Sequence, residues 1–118
     1  MKKLMLTAAL LTGVLAPMAY AADAAICDGS GASKSVAATT GGFAKRAFEA
    51  KCSQNVFSHY ADTSVAFGVV AGSKKGKNYF GGGTGGGGIK SMGTCDPSAG
   101  CTTTEIKAAN ATAAMNAS

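Results

Sequence analysis

The sequence predicts an α+β fold: a small antiparallel sheet of two to four strands, two short helices and two disulfides that staple them. Three observations carry this expectation. Val65-Ala66-Phe67-Gly68-Val69-Val70-Ala71 alternates with the period of a strand. Phe43, Ala47 and Ala50 recur at helical spacing, with Phe48 and Cys52 beside them. Four cysteines, at 27, 52, 95 and 101, stand in a chain of only 118 residues.

Residues 1–21 have the form of a cleaved secretory leader. Lys2 and Lys3 supply a positive start, Leu4 to Leu15 is apolar, Pro17 ends the run, and Ala19-Tyr20-Ala21 fits signal peptidase. The run is shorter than the roughly 20 residues that cross a membrane, so a transmembrane anchor is not expected. Cleavage would leave Ala22 first and send the protein to a bacterial periplasm or the medium. Loss of Lys2 and Lys3 lowers the net charge from +5 to +3. That is mildly basic, below the stripe expected of a dedicated nucleic-acid binder.

All five leucines lie in the leader, and the remainder carries only 13 Ile, Val and Phe. Such a chain builds a thin core, and disulfides are the usual compensation in small exported domains. Four cysteines allow three pairings, of which Cys27–Cys52 and Cys95–Cys101 are favoured. The second closes Cys-Asp-Pro-Ser-Ala-Gly-Cys, whose Asp96-Pro97 and Gly100 form turns. By loop-closure entropy the short ring contributes about 2 kcal/mol and the long ring about 3.5 kcal/mol. The spacing does not suit zinc, a Cys-x-x-Cys redox pair or haem, so no metal is expected.

The elements then follow in order. Residues 22–42, rich in Ala, Ser, Thr and Gly, are expected to be irregular and tied only by Cys27. The domain proper is expected over 43–118. Its first element is a helix over 43–54, with Thr40 as cap and Lys45–Glu49 as an outer pair. Residues 55–60 alternate loosely, 61–64 turn, and 65–71 form the best strand. Ala66, Gly68 and Val70 give that strand a flat side suited to a helix. Gly72 to Lys77 turns, and Asn78-Tyr79-Phe80 begins a return strand, making a hairpin. Residues 81–88, seven Gly and one Thr, read as a flexible loop unless backbone pairing fixes them. Residues 89–92 suit a last short strand. Thr102 and Glu105 match a capping box before a C-terminal helix over 106–117.

Catalytic motifs are weak. Gly81, Gly83 and Gly86 satisfy Gly-x-Gly-x-x-Gly, as any glycine run does, and no helix follows, so no nucleotide is expected. His59 with Ser58 or Ser64 and Asp62 suggests a triad only on paper, because triads are defined by geometry. A chain of this size lacks the cleft a paired-carboxylate glycosidase needs. No enzyme activity and no cofactor are expected. Asn110-Ala111-Thr112 and Asn116-Ala117-Ser118 match glycosylation sequons by chance.

The best binding cluster is Lys74, Lys75 and Lys77 beside Tyr79 and Phe80. Three cations and two aromatics on a hairpin suit an anionic polymer such as lipopolysaccharide, peptidoglycan or extracellular DNA. The plainer alternative is a solvated turn whose lysines discourage edge pairing. Strand 65–71 is also uncharged, β-branched and free of Pro, which suits pairing between copies of the chain. The sequence thus points to a small exported non-catalytic protein of the envelope or medium, structural or binding in role. The partner is undetermined: an envelope polymer or copies of itself.

Overall fold

The computed structural model describes residues 21–38 and 40–116. Of the expected leader, residues 1–20 lie outside those described, and Ala21 opens the first strand. The fold is mostly β, which corrects the α+β expectation. Seven strands and one short helix are present among the described residues: β1 Ala21–Ser30, β2 Lys34–Val36, β3 Phe48–Ala50, β4 Gln54–Thr63, β5 Phe67–Ser73, β6 Asn78–Gly83, β7 Lys90–Thr94 and α1 Ala108–Ala114. Five strands form one antiparallel sheet in the order β1-β4-β5-β6-β7, larger than the two to four expected. β2 and β3 make a separate two-stranded ribbon.

The helix expected over 43–54 is absent. Its stripe was one Phe and two Ala, too little apolar surface to hold a helix that is marginal in water at this length. Stronger partners claim the segment instead. Phe48 to Ala50 pairs with Lys34 to Val36. The Phe43 N–H donates to the Asp62 carboxylate and to the Thr63 carbonyl, each at 2.8 Å. Lys45 donates to the Gly42 carbonyl and Glu49 faces Lys51 at 3.7 Å, so the expected Lys45–Glu49 pair does not form.

The described residues of the 22–42 segment are not irregular throughout. They hold β1, which lies along β4 from Ala21↔Thr63 to Ser30↔Gln54 with two register shifts, and β2. Composition hid this strand, because Ala-Ala-Asp-Ala-Ala has neither alternation nor β-branching. The hairpin of β5 and β6 forms as expected, with β5 shifted two residues along. Gly81 to Gly83, placed by sequence in a flexible loop, are paired with Val70, Val69 and Gly68.

Those glycines serve packing. Gly68 and Gly83 sit opposite one another under α1. A Cβ at Gly83 would come within 2.5 Å of the Ala114 carbonyl oxygen and the Met115 Cα. A bare backbone surface therefore lets the helix lie directly on the sheet. The main core gathers there: Ala61, Val70, Ile106, Ala111 and Met115 with Cys95 and Cys101, Val70 and Cys101 having no exposed surface. Both disulfides are present, Cys27–Cys52 and Cys95–Cys101.

The capping box forms but does not cap the helix. Glu105 Oε2 accepts the Thr102 N–H at 2.9 Å, closing a turn, and α1 starts later, after Lys107. The helix spans Ala108–Ala114 and is shorter than the 106–117 expected, because Ile106 is drawn into the core ahead of it.

Candidate functional site

Successive residues of a strand face opposite ways, so β5 divides the molecule. Gly68, Val70 and Gly72 face α1 and the small ring. Phe67, Val69 and Ala71 face the other side. There, near β1 and β4, a second cluster of Ile26, Cys27 and Val36 packs with Ala50, Cys52, Tyr60 and Val69. Phe67 stacks on Tyr60 with ring centres 5.5 Å apart and meets Phe48 edge-on at 6.4 Å. The Cys27–Cys52 bridge holds this cover in place.

The cover stops at Val69. Beyond it the same face of the sheet is an open groove of about 770 Å³. Val56, Val69, Ala71, Phe80 and Ile89 supply its apolar walls. Gly81 to Gly83, Gly87 and Gly88 add backbone without side chains. Phe80 is 47% exposed and Ile89 81% exposed. Ser73, Lys77 and Asn78 stand at the end nearest the β5–β6 turn, and Lys77 is the one charged residue among those lining the groove.

The lysine cluster is thus partly assembled. Lys74, Lys75 and Lys77 lie exposed on the turn between β5 and β6. The turn is held from behind, because Gly100 packs against the Lys74 carbonyl with φ +73°, a place only glycine fits without strain. Phe80 shares the groove with Lys77. Tyr79 does not join them: it faces the helix side, packs on the core and lies against Gly93. Alternation along Asn78-Tyr79-Phe80 was enough to foresee that separation. Sequence reasoning missed Val56, Val69, Ala71 and Ile89, since their convergence depends on which half of the sheet face the ribbon covers.

The imagined triad is not assembled. His59 and Asp62 point to opposite faces of β4. His59 Nε2 lies 3.0 Å from Asp23 Oδ1. Asp62 is engaged with Phe43, and Ser64 is exposed in a turn. Two other acids accept hydrogen bonds from residues just beyond them in the chain. In the small ring, Asp96 Oδ1 accepts the Ser98 hydroxyl at 2.6 Å and the N–H groups of Ser98 and Ala99. Chiefly through the Ser98 hydroxyl, these bonds hold the Asp96 carboxyl below its ordinary pKa. Asp28 is lowered in the same way by Ser30. No group of three or more metal-ligating side chains occurs among the described residues.

No known protein-family model matches this sequence, and no curated protein and no solved structure shows significant similarity to it. The two closed disulfides suit an oxidising extracellular or periplasmic environment. No helix among the described residues is long and apolar enough to cross a membrane.

Proposed function

We propose that this is a small, exported, non-catalytic binding module of the bacterial envelope or medium, acting on an anionic partner. The observation that carries this reading is the open groove with the lysine turn at its mouth. Proteins of this size seldom leave a sizeable apolar face uncovered without a use for it. The leader-like residues 1–21 and the two disulfides support export to the periplasm or beyond. A solvated turn would explain the lysines alone, but not Phe80 and Ile89 exposed beside them.

The reading is tested on immobilised heparin, a sulfated glycan probe. The protein is expected to be retained, and to elute at lower salt once Lys74→Gln, Lys75→Gln and Lys77→Gln are combined, because lysine contacts are screened by salt. Equal elution of the native and triple-variant proteins would return the lysines to a purely solvating role.

Assembly into a fibre or matrix has narrower support. Strand 67–73 is paired on both sides, by β4 and β6, so copies of the chain would have to meet at the outer edges β1 and β7. Sedimentation at high concentration separates the two readings: a module stays monomeric, a fibre subunit does not.

A further inference from the structure

We infer that the groove takes the acyl chain of an anionic amphiphile, with the charged head held at the lysine turn. This rests on the binding-module reading and names the ligand class. Polarity is graded along the groove. At one end stand Lys77, Asn78 and Ser73, with Lys74 and Lys75 exposed on the adjoining turn. At the other, Val69, Gly82 and Ile89 present no polar side chain. No carboxylate lines the groove to oppose an anion.

The fit favours an alkyl chain over an extended peptide. A peptide seeks free backbone partners, whereas β5 is paired on both sides by β4 and β6, and β6 is paired with β7 as far as Gly81. What remains is a surface that rewards apolar area along its length and charge at one end. From Lys77 to Gly82 the strand advances about 17 Å, close to the extended length of a dodecyl chain. The volume falls within the range of small-ligand sites, roughly 300–1,000 Å³.

Gly82 allows a clean test. A side chain there enters the groove, and its Cβ would lie 3.5 Å from Ile89 Cγ1, an ordinary contact. Valine suits a strand, so Gly82→Val fills the groove without touching α1. The probes are dodecyl phosphate, dodecyl maltoside and inorganic phosphate, titrated below the micellar range. Dodecyl phosphate is expected to bind saturably, inorganic phosphate not measurably, and dodecyl maltoside more weakly. Gly82→Val should weaken dodecyl phosphate at least about tenfold by excluding several methylenes. Lys77→Gln should narrow the advantage over the maltoside by about two- to fivefold. Ile89→Asp, at an exposed rim position, gives a second reading should Gly82→Val not fold.

Unchanged affinity in folded Gly82→Val, or no saturable binding of dodecyl phosphate to the native protein, would overturn the inference. Heparin distinguishes the two levels. Lysine-dependent heparin binding without amphiphile binding removes the acyl ligand and leaves the binding module standing. Loss of both removes both.

Discussion

The buried carboxylate of Asp62 accepts the backbone N–H of Phe43 at 2.8 Å, fastening a loop with little apolar content to the end of β4. Asp62 is only 3% exposed, so the contact is made out of water. Asp62→Ala is therefore expected to cost about 1–3 kcal/mol in urea unfolding. The loop should also open to trypsin at Lys45 and Arg46. Unchanged stability and unchanged cleavage would show that the loop is held by other means.

The flat helix-facing side of the sheet makes a sharper prediction. Gly83→Ala forces a methyl group against the Ala114 carbonyl and the Met115 backbone. Backbone atoms cannot swing aside, so the cost should reach about 1–3 kcal/mol or more. Gly88→Ala, with open space around it, should change stability by less than about 0.5 kcal/mol. Equal midpoints for the two variants would contradict the close approach of α1.

The disulfides stabilise in different ways. Loop closure favours Cys27–Cys52, at about 3.5 kcal/mol against about 2 kcal/mol for Cys95–Cys101. Burial narrows the gap, because Cys101 is wholly enclosed in the main core. The Cys27→Ser, Cys52→Ser double variant is expected to unfold at 37 °C or to be cut readily by protease. The Cys95→Ser, Cys101→Ser variant should lose stability as well, beginning at the small ring and the start of α1. Thermal unfolding with limited proteolysis checks both. Native-like melting of either variant would refute the role given to its bridge.

Acid should loosen the small ring. Hydrogen bonds from Ser98 and Ala99 hold the folded Asp96 carboxyl below its ordinary pKa. A lowered folded pKa means that the stabilisation is fully present above the unfolded carboxyl pKa of about 3.9, and disappears as pH falls through the folded value. Asp96→Asn should therefore lower the melting temperature near neutral pH and flatten part of its fall below pH 4. An unchanged acid limb in Asp96→Asn would contradict this.

Several of these features were legible in the residues. The disulfide pairing that forms is the one favoured among three, and the β5–β6 hairpin follows from alternation. The flat side of β5 was visible as Ala66, Gly68 and Val70. The rest depended on distant partners. β1 has almost no strand signal of its own and is recruited by the free edge of β4. Residues 43–54 do have a helical period, but Asp62 and β2 outbid it with hydrogen bonds that no local pattern reveals. Gly81 to Gly83 look structureless because their value lies in the side chains they lack. Of the site, Lys77 and Phe80 could be found in sequence. Val56 and Ile89 join them only through strand register and the limit of the ribbon's cover.

One face of the sheet holds the main core, while the other is covered only as far as Val69 and lies open beyond it. Val69 and Val70 test it most directly, being neighbours in the chain on opposite faces, one lining the groove and the other fully enclosed. Methyl NMR of the protein titrated with dodecyl phosphate reads the two faces separately. The methyl signals of Val69, Ala71 and Ile89 are predicted to move together and saturate, while those of Val70, Ile106 and Ala111 stay in place. Shifts centred on Val70 and the helix face, with Val69 and Ile89 unmoved, would contradict the account.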